Sequence, residues 1–169
     1  MLRTLLAFMF AVTALACPAL SADRPDLPSS LARLKEGQWV LMRVTADFGN
    51  AELKHTVLSI TDTGDDKVIN IRTEMSMDGE LVDSRDDNIT LSRLQEDQDE
   101  ALNSMDFVSV LPTQVELKGV TVDAVEAEFV NEGKKCRFIL TDKVPLIAMV
   151  RMEVENEEEP MRELIDFGE

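Results

Sequence analysis

Along residues 69–77 the apolar side chains Ile69, Ile71, Met75 and Met77 recur at period two, which an extended strand with one covered face satisfies. Ile69, Ile71, Thr73, Met75 and Met77 fall on one side; Val68, Asn70, Arg72, Glu74 and Ser76 fall on the other. Asp78-Gly79 follows, a dipeptide suited to the two-residue hairpin turn because both positions tolerate positive φ. A second strand from Glu80 to about Leu91 is therefore expected to fold back antiparallel.

The same rhythm continues on both sides. Trp39, Leu41 and Arg43 alternate with Val40, Met42, Val44, Ala46 and Phe48. After a turn at Gly49-Asn50, Leu53, His55 and Val57 oppose Lys54, Thr56, Leu58 and Ile60. One stretch breaks the pattern: residues 92–106 are acidic, rich in helix formers, and space Leu94, Ala101, Leu102 and Met105 at helical intervals. It reads as a short helix or an irregular connection. Strands resume over 107–111, 114–118, 120–130, 135–141, 147–155 and 161–167, with turns at Gly119, 131–133, 142–143 and 156–160. Residues 23–36 read as a linker with a short helix capped by Ser30 and stopped by Gly37. The expected fold is mainly β: one antiparallel curved sheet, half-barrel or barrel over 37–169, with a short N-terminal helix and one insertion.

Residues 1–22 have the order of an export signal. Arg3 precedes an apolar run from Leu5 to about Ala16, and small residues lead to Asp23, where the composition turns polar. The run is short for a membrane span, which needs about 20 apolar residues. Export to the periplasm or beyond the cell is the expectation. A rival reading takes Ala14-Leu15-Ala16-Cys17 as a lipidation box with Cys17 acylated, which would make the chain an outer-membrane lipoprotein; only then is membrane attachment expected. If Cys17 leaves with the leader, Cys136 has no partner for an internal disulfide.

Charge excludes one class of partner. The chain carries 33 Asp and Glu against 17 Lys and Arg, and no basic cluster offsets them. Such a surface repels nucleic acid and anionic lipid and favours basic partners.

The inventory of reactive groups is short. His55 is the only histidine, tyrosine is absent, and no serine stands in a nucleophile-elbow setting. Cys136 alternates with Phe138 and Leu140, which fits a small buried apolar residue better than a reactive thiol. There is no phosphate-cradling glycine loop, and one His with one Cys cannot make a zinc site. Asp62, Asp65 and Asp66, and Asp83, Asp86 and Asp87, lack the spacing of a calcium loop and read as turn residues. No enzyme activity and no cofactor are expected.

Methionine carries the remaining signal. Met75 and Met77 flank one residue, so both thioethers point to one side of a strand. With His55 and Trp39 they offer soft ligands to Cu(I), a low-ranking reading because Ile69 and Ile71 share the face. Gap-filling in a core is the plainest role for such residues. An adaptable apolar cavity is the functional alternative, lined by Ile69, Ile71, Met75 and Met77, with Trp39, Met149 and Met152 joining them.

Further residues carry a resemblance. The run from Phe138 to Leu146 with its Val144-Pro145-Leu146 turn, the Val150-Arg151-Met152-Glu153 strand and the closing Leu164-Ile165-Asp166-Phe167-Gly168 are similar to a group of uncharacterised exported bacterial β-proteins. Glu36-Gly37-Gln38-Trp39-Val40 resembles their first strand. This chain departs from them at Ile147-Ala148, where glycines are usual, and in having no Cys near Val122–Ala124. In strand pattern such proteins resemble the open half-barrels that carry lipoproteins or lipids across the periplasm. The likeness is one of fold; with the apolar, methionine-rich face it leaves a non-enzymatic binding module for an apolar or lipidic ligand as the leading expectation. Two other readings stand beside it: an envelope interaction protein whose acidic face meets a basic partner, and a Cu(I) carrier.

Overall fold

The computed structural model describes residues 26–46 and 49–169, so the leader, Cys17 and Phe48 lie outside the described residues. A 3-10 turn at Leu31–Arg33 precedes β1 (Trp39–Ala46), β2 (Gly49–Asp62), β3 (Lys67–Met77) and β4 (Glu80–Thr90). Helix α1 (Leu91–Asn103) follows, and then β5 (Asp106–Leu117), β6 (Val120–Asn131), β7 (Lys134–Leu140), β8 (Met149–Val154) and β9 (Arg162–Gly168). All nine strands form one antiparallel sheet in the order β4-β3-β2-β1-β9-β8-β7-β6-β5. It is curved and does not close into a barrel. The chain lays down one edge, crosses by α1 to the other edge, and returns strand by strand until β9 pairs with β1.

Local chemistry fixes the corners. Asp78-Gly79, Lys118-Gly119 and Glu132-Gly133 all hold positive φ at both positions, the type I′ geometry that matches the right-handed strand twist. Thr90 caps α1, its Oγ1 accepting from the Arg93 amide at 3.2 Å. Asp66 in the β2–β3 turn also meets this helix start, accepting from the Ser92 hydroxyl and amide. The Ser92 hydroxyl and the Lys67 amide hold its carboxyl below the usual carboxylate range. Asp62 takes the Gly64 amide at 2.8 Å, so Asp62 and Asp66 serve the turn as expected, whereas Asp83, Asp86 and Asp87, also expected in a turn, lie within β4.

Two expectations differ in detail. The Ser30 side chain makes no cap bond, and the segment forms a single 3-10 turn with Leu31 buried. Residues 107–117, expected to fall in two strands, form one, and Lys118 belongs to the turn that follows. Pro112 is tolerated because β5 is an edge strand, pairing on one side alone, where a missing N–H breaks no ladder.

The interior divides into two clusters. Val40, Met42, Val57, Ile69, Leu94 and Leu117 pack with Leu31, Val144 and Leu146. The Gln98 side-chain amide donates to the Leu146 carbonyl at 2.9 Å, tying α1 to the β7–β8 loop. The second cluster centres on Phe129, which is fully buried and meets Phe107 and Phe138 edge-to-face with centroids 5.7 Å and 5.5 Å away. Cys136 belongs to it, free and 3% exposed, its thiol pushed up by burial.

Candidate functional site

Residues directly opposed in antiparallel strands share a face, so register alone assembles the inner wall. Ile69 stands between Ile60 and Ile89, Ile71 between Val57 and Asp87, and Thr73 between His55 and Arg85. Met75 stands between Leu53 and Asp83, and Met77 between Ala51 and Glu80. The wall continues through Met42 to Leu164 and through Val44 to Arg162, Met152 and Phe138. The whole stripe predicted from alternation on β3 therefore faces inward, on the side where α1 packs.

It is not uniform along its length. Ile69 is 1% exposed and sealed under Leu94 and Leu31. Ile71 and Met149 are half-buried against the same cluster, and Met152 against the Phe129 cluster. Met75, Met77, Leu53 and Val44 are half-buried on the inner face and belong to neither cluster among the described residues. Apolar surface thus lies partly open at the end of the sheet where β3 turns into β4. Leu81 and Val82 of that hairpin are both more than half exposed, and Leu81, opposite Ser76, lies on the outer face.

Polar groups border this surface, and the sequence pattern did not announce them. Asp83, Arg85 and Asp87 alternate inward on β4, with Arg85 Nε 3.2 Å from Asp87 Oδ2. Arg162 faces inward on β9 beside Val44, its guanidinium pushed below its ordinary value by burial. His55 is 4% exposed, with Nδ1 3.0 Å from Thr73 Oγ1. Burial, then the nearby Arg162 and Arg85 charges, lower its pKa to about 4, so the ring is neutral at pH 7. Because β4 reads as polar on both faces, only the register separates its inward charges from Ser84, Asp86 and Asn88.

Trp39 does not join the lining. It lies on the outer face, one residue out of phase with Val40, between the ammonium groups of Lys54 and Lys118 at 5.2 Å and 5.8 Å from its ring. A methyl group at Gly168 would come within 3.0 Å of its indole nitrogen, so the ring lies flat on the end of β9. It is therefore also removed from the soft ligand set, of which His55, Met75 and Met77 remain on one face. Among the described residues no group of three or more His, Cys, Asp or Glu could hold a metal ion. No helix among the described residues is long and apolar enough to cross a membrane.

Comparison with known proteins found no family model, no curated protein and no solved structure that matches this chain.

Proposed function

We propose that this protein is an exported, non-enzymatic binding module that takes an apolar or lipidic ligand on the open end of its inner face. The observation that carries the reading is the half-buried Met75–Met77 pair with Leu53 and Val44, apolar groups on the inner wall of a sheet that does not close. Unbranched thioethers adapt to irregular chains, and covering them supplies affinity at about 25 cal/mol per Å² without polar chemistry. An export signal at residues 1–22 and a strand pattern similar to that of lipid-carrying half-barrels are part of this proposal. A copper carrier is disfavoured, because two guanidinium groups already act on the His55 ring. An envelope interaction role keeps one supporting observation: exposed Leu81 and Val82 lie beside Glu80, Asp83 and Asp86 on an edge strand, a surface suited to a basic partner.

Titration with an uncharged environment-sensitive apolar fluorophore, N-phenyl-1-naphthylamine, tests the reading. The native protein is expected to bind saturably. Met75→Lys/Met77→Lys is expected to lose at least tenfold in affinity, since burying one Met side chain is worth about 1.5–3 kcal/mol. Saturation by both proteins with equal affinity, or by neither, would reject it.

A further inference from the structure

The sheet has one weak line. Strand β9 pairs with β1 from Trp39↔Gly168 to Val44↔Arg162. Against β8 it forms only two pairs among the described residues, Arg151↔Glu163 and Met152↔Arg162, whereas β7 and β8 share five. Beyond Glu163 the two strands part, and Leu164–Phe167 gain no ladder from β8 among the described residues. A half-open groove of about 340 Å³ follows this line, walled by Val150, Arg151 and Ile139 on one side and by Leu164, Ile165 and Phe167 on the other. Residues 115–118, the far end of β5 and the start of its turn, complete the lining.

The β5–β6 hairpin reaches past its own neighbours to close this line. Lys118, at φ +53 ahead of Gly119, donates to the Phe167 carbonyl and stands 3.0 Å from Asp166 Oδ1. Its ammonium also lies over the Phe167 ring at 4.8 Å and over Trp39 at 5.8 Å. Leu117 beside it is 8% exposed and belongs to the core cluster with Val144 and Leu146. One side chain of the second half of the sheet therefore holds the carbonyl, carboxylate and rings that end the first half.

We propose that the β8–β9 line is a gate and that Lys118 is its latch. When the hairpin tip lets go, β8 and β9 part further beyond the Arg151↔Glu163 pair, while the core cluster shared by both halves, the Arg33–Asp142 ion pair and α1 keep the halves joined. The parting widens the groove toward Leu117, which lines it. Strand pairing and Lys118 define the gate whether or not the inner face takes a ligand.

Native-state amide hydrogen exchange tests it on the native protein, on Lys118→Met, which keeps the aliphatic stem, and on Arg151→Cys/Glu163→Cys, which staples two paired positions. In the native protein, amides of 150–152 and 163–167 are expected to exchange faster than those of the long β2–β3 ladder. Lys118→Met is expected to speed the former about tenfold, the worth of a hydrogen bond from a charged donor, and leave β2–β3 unchanged. The oxidised staple is expected to slow them to the β2–β3 rate, and reduction to restore the difference. If the seam amides exchange at the β2–β3 rate in the native protein, the seam opens only with global unfolding and the gate is overturned. It is equally overturned if Lys118→Met speeds all amides alike, or if the staple changes nothing.

Discussion

His55 makes the account answerable to pH. Its ring sits at 4% exposure, bonded to Thr73, and burial with two nearby guanidinium charges lowers its pKa from 6.5 to about 4. The native state therefore binds fewer protons than the unfolded chain between these values, so stability rises with pH across that window. The contribution is complete above the unfolded value of 6.5 and is lost progressively as pH falls toward 4. At about 1.36 kcal/mol per unit the full loss is about 3 kcal/mol, of which about 2 kcal/mol falls between pH 7 and pH 5. The carboxyls of Asp66, Asp86 and Asp166, held low by their partners, weaken the fold only below the ordinary carboxylate value and so outside this interval. Urea unfolding at pH 7 and pH 5 measures the loss. His55→Gln, which can still bond Thr73 but does not titrate, should lose at least about 1 kcal/mol less over the interval. Because the chain has a single histidine, its ring resonance also reports the pKa without assignment. Equal losses in the two proteins, or a ring titrating near 6.5, would refute the reasoning.

Two further changes bear on the corners of the fold. Glu132→Asn, at an exposed position with φ +50 before Gly133, should stabilise by about 0.5–1 kcal/mol, because asparagine accepts the left-handed conformation more readily; an unchanged or lower urea midpoint would contradict it. Thr90→Ala should cost about 1 kcal/mol through the lost cap on Arg93, and Thr90→Ser should keep most of it.

Much of the architecture was legible because β-sheets write their two faces at period two. The inward set of β3 was read residue by residue, and Asp78-Gly79 announced its turn. Helix α1 showed through a change of period at Leu94, Ala101 and Leu102. The burial of His55 could be read from its phase with Leu53 and Val57. Trp39, expected in the lining, alternates with Val40, and that phase assigns it to the other face. Strand β4 gave no phase because charged residues occupy both of its sides, so Asp83, Arg85 and Asp87 emerged on the inner wall only through pairing with β3. The edge-to-edge crossing by α1 and the short β8–β9 ladder depend on long-range register, which local pattern does not encode. Leu146 and Ala148 hold φ of +66 and +50, so the β7–β8 loop enters the left-handed region twice without a glycine, which no local pattern announces.

Native mass spectrometry of the protein purified from its own source tests the central claim most directly. The account predicts a population carrying a lipid-sized adduct, released as an amphiphile on denaturation and reduced in Met75→Lys/Met77→Lys. A polypeptide of bare mass in every charge state, or one carrying only a metal ion or a bound basic protein, would contradict it.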